Sequence, residues 1–283
     1  MKYRHGFHAG NFADVHKHVT LLALIAALQR KEKGFLYLET HAGRGRYELD
    51  GADSNQGAEA RLGIGALQAA SCQDPHIGAY LAFVARFRAE CGSPSAYPGS
   101  PVLAASAFRA QDRGRCFEIQ APECRALERA LHGYPRMSCV CGDGYEGLKS
   151  QLPPPERRAL VCIDPPYEEQ EQELTRGAAA IDTALARLAN AVVMFWYPIK
   201  DERALTPWLQ RMSEHLEVPA LHAELWLHPR DSRVGLNGSG VLIVNPPYQL
   251  DVEMRQWLPQ LGSALGADRQ GGTRIKWLAH EQH

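Results

Sequence analysis

Five short strand-like runs, at 35–38, 115–119, 137–141, 160–163 and 191–197, punctuate the chain, and longer stretches of mixed polarity separate them. Runs as short and continuously apolar as 35–38, 160–163 and 191–197 predict strands covered on both faces, the pattern of a parallel sheet. Helical spacing is read over 14–30, 179–190 and 202–216. Strands alternating with helices predict an α/β fold with an open, largely parallel sheet. Near the end, 221–228 and 240–245 read as two strands joined by the polar loop 229–239, which predicts an antiparallel hairpin.

The residues just past each strand carry more chemistry than the strand itself. The first strand ends in Glu39-Thr40-His41-Ala42-Gly43-Arg44-Gly45, an acid followed by a Gly-x-Gly turn that lets backbone approach a ligand. The third glycine of the dinucleotide fingerprint is absent, since position 48 is Glu, which disfavours NAD or FAD. The second strand carries Glu118 near its end, and the third ends in Gly142-Asp143-Gly144. Acids at successive strand ends suit an adenosine moiety, one for the ribose hydroxyls and another for the adenine amine. A ribose-binding acid normally lies about 20 residues beyond the glycine motif, yet Glu39 and Glu118 are 79 positions apart. The surplus predicts an insertion. It is placed at 49–95, a small helical subdomain over the substrate face, leaving 1–48 and 96–283 as the main domain.

The fourth strand runs into Asp164-Pro165-Pro166-Tyr167. Asp164 and the Pro165 carbonyl can each accept a hydrogen bond from an exocyclic amine, and Tyr167 offers a stacking face for an extruded base. This tetrapeptide resembles the catalytic motif of amino-methyltransferases. Asn245-Pro246-Pro247-Tyr248 competes with it. If 221–228 and 240–245 form a hairpin, however, the second strand runs antiparallel and delivers that motif to the wrong edge of the sheet, as a strand terminator.

Composition adds limits. The net charge of -1 gives no global nucleic-acid signature, so RNA or DNA binding rests on a local patch, for which Lys2, Arg4, Lys17, Arg30, Lys31 and Lys33 are candidates. Arg230 and Arg233 make the 229–239 loop a second candidate RNA-facing element. Seven cysteines without a CxxC pair predict reduced core thiols, no metal site and a cytoplasmic protein. The apolar stretch 19–28 reads as a buried helix, and no stretch is long enough to span a bilayer.

Together, Tyr3-Arg4-His5, Phe7-His8-Ala9-Gly10-Asn11, Asp14-Val15-His16-Lys17-His18, Thr40-His41-Ala42-Gly43, Gly45-Arg46-Tyr47, Tyr97-Pro98-Gly99-Ser100-Pro101, Asp143-Gly144 and the DPPY segment resemble the RlmJ family over essentially the whole chain. The resemblance implies a Rossmann-like S-adenosylmethionine-dependent methyltransferase sheet with an inserted helical subdomain. It further implies N6-methylation of a specific adenine of 23S rRNA, adenine 2030, on protein-free RNA or an early assembly intermediate, by a monomer. Carried over by position, donor-binding residues are His18, His41, Ser100, Glu118, Asp143, Gly144 and Asp164, with Asp164 as proton acceptor and Tyr3 touching RNA. From the residues themselves, Gly43 joins the donor set and Arg4 and Lys17 the RNA set. His18 and His41 either bind the donor's carboxylate or hold the loop. A DNA adenine methyltransferase and a non-catalytic RNA-binding or assembly factor are the alternative readings.

Overall fold

In a computed structural model, the described residues are 8–50, 54–167, 169–200, 202–232, 234–267 and 270–279. Strands β1 (Leu36–Glu39), β4 (Arg113–Glu118), β5 (Met137–Cys141), β6 (Ala159–Ile163) and β7 (Val192–Ile199) pair in parallel, in the order β5-β4-β1-β6-β7. Beyond β7 lie β9 (Gly238–Val244), β8 (Ala220–Trp226) and β10 (Gly272–Ala279), each antiparallel to its neighbour. The chain builds outward from β1 through β4 to β5, then returns to start β6 on the other side. That reversal opens a crevice at the carboxyl ends of β1 and β6, where open α/β sheets bind ligands.

Helix α1 (Phe12–Gln29) crosses the middle of the molecule, and this explains its apolarity on nearly every face. The Asn11 side chain caps it, accepting from the amides of Ala13 and Asp14 at 3.0 Å. Outside the main sheet, β2 (Arg46–Glu48) pairs antiparallel with β3 (Ala96–Pro98). Between them run α2 (Ser54–Ala60), a π-helical turn (Arg61–Gly65), α3 (Ala66–Ala69) and α4 (Pro75–Cys91). Ile64, Leu67, Ile77, Tyr80 and Val84 of this stretch join the same buried core as α1 and the sheet. Asp74 caps α4 at one end, and Gly92, at φ +61°, ends it at the other.

After β3 come α5 (Ser100–Ser106), α6 (Ala121–Ala130), α7 (Gly144–Gln151), α8 (Gln170–Arg187), α9 (Glu202–His215) and α10 (Leu250–Ala264). Helix α8 starts nine residues before the expected 179. Its first turns are polar, with Glu171 and Glu173 favoured by the helix dipole there rather than by apolar spacing. Strand β4 starts at Arg113 and ends before Ile119, because the Glu118 carboxylate accepts from the Gln120 amide at 2.8 Å and turns the chain toward α6. Helix α10 and strand β10 were not anticipated. The latter is an edge strand marked by Arg274 and Lys276, whose charges replace the apolar signal of a central strand.

The thiol expectation needs correction. Cys124 on α6 is bonded to Cys141 at the end of β5, their Cα atoms 5.7 Å apart, and the Cys139 Sγ lies 3.5 Å from that of Cys124. A pair 17 residues apart leaves no sequence motif, since packing of α6 on β5 makes the approach. Among the described residues no cluster could hold a metal ion and no helix is long and apolar enough to cross a membrane.

Candidate active site

Four strand ends meet at the crevice. From β1 the chain enters the glycine loop, where Gly43 and Gly45 take φ +62° and +74°, values that non-glycine residues seldom adopt. The Ala42 amide donates to the Phe117 carbonyl at 2.9 Å, so the loop leans on β4. Glu118 secures it: one oxygen accepts from the Gly43 amide at 2.9 Å and the other from Gln120. Burial pushes the Glu118 carboxyl above its ordinary value against these backbone hydrogen bonds. Each oxygen keeps a lone pair able to accept a ribose hydroxyl. Ile119, next in sequence, is 66 % exposed, a flat apolar surface beside the acid.

Asp143 caps α7, accepting from the Tyr145 amide at 2.8 Å with its carboxylate exposed to the crevice side of β5. Gly144 is demanded by contact, because a Cβ there would lie 2.0 Å from the Thr40 carbonyl oxygen. The imidazole of His41 lies edge-on to Tyr145, with Nδ1 2.8 Å from the Thr40 hydroxyl. Burial pushes it down to about 4, so at neutral pH it serves as an uncharged hydrogen-bonding group.

Two expected donor residues sit deeper. The His18 Nδ1 pairs with the Tyr97 hydroxyl at 3.0 Å, and its ring stacks on that of Tyr97 between α1 and β3. The Ser100 hydroxyl donates to Glu39 at 2.5 Å. Glu39 also accepts from Tyr37 at 2.8 Å, and burial still raises its carboxyl to about 7. His18 and Ser100 thus lie in the packing behind the glycine loop rather than beside Glu118 and Asp143.

Asp164 emerges from β6 on the far side of the crevice. Its Oδ2 lies 2.5 Å from the Lys17 ammonium, whose other partner is Asp14 at 2.8 Å. Burial alone would lower Lys17, but the two carboxylates outweigh it and hold the ammonium well above its ordinary value. The assignment of Lys17 to an RNA phosphate is therefore wrong: its side chain is 4 % exposed and faces Asp164. His16 and His18 are buried too, and Arg30 pairs with Glu253, so the N-terminal helix offers no continuous basic surface. The 229–239 loop is also tied down. Arg230 pairs with Glu202 and Glu224 and lies 4.6 Å over Trp226, while Asn237 bonds back to His228 and Pro229. Lys2, Tyr3, Arg4 and Arg233 lie outside the described residues.

Pro165 is buried, and so is Tyr167, whose hydroxyl donates to the Trp196 carbonyl at 2.6 Å with its ring edge-on to that of Trp196. Tyr167 thus forms part of the wall rather than an open stacking platform. Sequence reading gave neither Trp196 nor Asp14 a role in the site. The first lies inside an apolar strand, with no local signal for one. The second had a signal, an Asp-x-x-Lys spacing inside an apolar helix, which announces a buried ion pair.

A family model described as ribosomal RNA large subunit methyltransferase D, RlmJ, matches residues 32–279. The chain belongs to the RlmJ family. Two curated relatives, each called ribosomal RNA large subunit methyltransferase J, come from Haemophilus influenzae and Escherichia coli. Both are 34 % identical to this chain, over 99 % of it and 100 % of their own length. A Legionella pneumophila protein of known crystal structure superposes with a TM-score of 0.84 at 31 % identity, covering 95 % of this chain and 97 % of its own. As an RlmJ-family methyltransferase, the chain acts on ribosomal RNA with S-adenosyl-L-methionine as methyl donor. The crevice suits that donor: positive-φ glycines permit close approach, and Glu118, Asp143 and Ile119 offer acceptors and an apolar face.

Proposed function

We propose that the chain methylates N6 of an adenine in 23S rRNA, with the base extruded into the crevice against Asp164 and Pro165. The observation that carries this reading is the Asp164 carboxylate, held by Lys17 at the carboxyl end of β6, the strand beside β1 and the glycine loop that follows it. When bound, S-adenosylmethionine supplies an electrophilic methyl group. Glu118 accepts from the ribose hydroxyls, Asp143 from the donor's adenine amine, and Gly43 and Gly144 let ligand approach backbone. His41, uncharged, hydrogen-bonds the donor or braces the loop.

The target amine is a poor nucleophile because its lone pair is delocalised into the ring. Hydrogen bonds to Asp164 Oδ1 and the Pro165 carbonyl favour a pyramidal nitrogen, and aiming it supplies most of the rate gain. Lys17 fixes the other carboxylate oxygen and so sets the direction of Oδ1. Asp164 takes the proton as positive charge develops on nitrogen, with no prior deprotonation. Tyr167 and Trp196 wall the base. Tyr3 and Arg4 are assigned to RNA, residues 49–95 to a substrate-side subdomain, and the working unit to a cytoplasmic monomer acting before ribosomal proteins assemble.

The test is donor-dependent methyl transfer to deproteinised 23S rRNA, matched DNA and assembled subunits, with nucleoside analysis of the products. N6-methyladenosine is expected from free RNA alone. Methylation of another atom, or equal activity on DNA, overturns the reading.

A further inference from the structure

Cys116, Cys124, Cys139 and Cys141 gather where α6 packs on β4 and β5. Cys116 pairs with Cys139 in the parallel register, and two residues further along the same strands Glu118 pairs with Cys141. Residues two apart on a strand share a face, so α6 meets Cys139 and Cys141 together: Cys124 is bonded to Cys141, and its Sγ lies 3.5 Å from that of Cys139. The neighbouring Cys116 thiol holds Cys139 below its ordinary value, which favours the thiolate, the form that attacks disulfides. Strand β5 is the edge of the sheet, with Cys139 half-buried and Cys141 exposed, so small thiols in solution reach the bridge. The bridge also ties together the segments that carry two acids of the crevice. On one side the Cys124 amide donates to the Gln120 carbonyl at 2.9 Å, and the Gln120 amide donates to the Glu118 carboxylate at 2.8 Å. On the other, Cys141 leads into Gly142, whose amide donates to the Glu118 carbonyl at 3.1 Å, and then into Asp143 at the cap of α7.

We propose that Cys124, Cys139 and Cys141 form a thiol–disulfide exchange site that sets donor affinity: the Cys124–Cys141 bridge fixes Asp143 against Glu118, and transfer of the bridge to Cys139 releases it. An enzyme of ribosomal RNA works among reduced thiols, where a disulfide is usually transient, catalytic or redox-sensing. Closing the bridge takes a disulfide oxidant such as oxidised glutathione. Cys124 and Cys141 give up two protons and two electrons, and the oxidant's S–S bond becomes two glutathione thiols. In the exchange, the Cys139 thiolate bonds to the Cys124 Sγ, the bond from Cys124 to Cys141 breaks, and Cys141 leaves as a thiolate that takes up the proton Cys139 had lost. The released end of β5 must then be ordered as the donor binds, and that ordering lowers affinity.

This inference rests on the donor roles proposed for Glu118 and Asp143. The full-length protein is equilibrated with reduced or oxidised glutathione, its linkages are mapped by fragmentation of unreduced peptides, and binding of S-adenosylmethionine is measured by calorimetry. The oxidised parent, carrying Cys124–Cys141, should bind the donor about fivefold more tightly than the reduced protein, the scale of ordering one side chain. Cys124→Ser should bind at the reduced value in both buffers. Cys141→Ser, changed at an exposed position, should form a Cys124–Cys139 bridge on oxidation and gain no affinity. Cys139→Ser should keep the gain but lose it more slowly when reduced glutathione is added. A response that survives Cys124→Ser, or oxidised Cys141→Ser without a Cys124–Cys139 bridge, would overturn the proposal. If the two states of the parent bind alike while Glu118→Ala and Asp143→Ala lose affinity, the exchange site is wrong and the donor site stands. If those two variants also bind normally, the donor site itself is misplaced and the inference falls with it.

Discussion

Asp164-Pro165-Pro166-Tyr167 and Asn245-Pro246-Pro247-Tyr248 differ in one residue and leave one sheet at opposite ends of its strands. The first comes after β6, parallel to β1, and opens on the crevice. The second comes after β9, which runs antiparallel to β7 and brings Asn245 beside the start of that strand. Asn245 sits at φ +51° and donates through Nδ2 to the carbonyls of Ala189 and Ala191, at 2.9 and 3.0 Å. Its Tyr248 is 69 % exposed, whereas Tyr167 is buried with its hydroxyl engaged. Strand direction thus decides what the motif does. At the crevice edge the first residue is a buried carboxylate facing a cation; at the other it closes two backbone carbonyls.

The comparison is broken most sharply at its acids. Asp164→Asn keeps the shape but removes the proton acceptor and the charge facing Lys17. Methyl transfer should fall by about 10²- to 10⁴-fold in protein that still melts cooperatively. Turnover within threefold of the parent, by nucleoside analysis, would remove DPPY from the mechanism. Lys17→Met is next. It leaves Asp14 and Asp164 buried together without their cation, and breaking such a pair costs about 3 to 5 kcal/mol. Urea unfolding should register most of that, and a loss below about 1 kcal/mol would mean the ammonium is not what holds these carboxylates.

Glu39 adds a pH signature peculiar to the crevice edge. Burial raises its carboxyl from 4.5 to about 7, against hydrogen bonds from Ser100 and Tyr37. Between those two values the folded protein retains a proton that the unfolded chain has released. The contribution is therefore complete below the unfolded value of 4.5 and lost as pH rises through about 7. Its size is about 3 kcal/mol, at about 1.4 per pH unit. Comparing urea midpoints at pH 5 and pH 8, Glu39→Gln should flatten the parent's decline by most of this amount. An identical decline in both proteins would show that Glu39 is ionised throughout.

Much of the fold was legible because central strands announce themselves: 137–141 matches β5, and the other parallel strands shift by a few residues at most. Acids and glycines at strand ends were legible for the same reason, since strand direction carries them to one crevice. The features that escaped depend on contacts between distant segments. Lys17 looks like a surface cation until Asp164, 147 positions away, is folded against it. Cys124 and Cys141 meet through helix packing that no local spacing encodes. Strand β10 escaped because it lies at the sheet's edge, where Arg274 and Lys276 interrupt the continuous apolar run by which a central strand is read.

The smallest effect belongs to the edge away from the crevice, and it separates two contributions at one residue. Asn245→Ala loses both side-chain hydrogen bonds and forces alanine into a left-handed conformation that costs about 1 to 2 kcal/mol. Asn245→Gly loses the same hydrogen bonds but adopts that backbone freely. Both should be less stable than the parent, the alanine variant by about 1 kcal/mol more, while methyl transfer stays within twofold. Equal stability of the two variants would mean that the backbone strain is relieved elsewhere. A fall in methyl transfer approaching that of Asp164→Asn would place the second motif in the reaction, and strand direction would no longer explain why two such similar segments behave so differently.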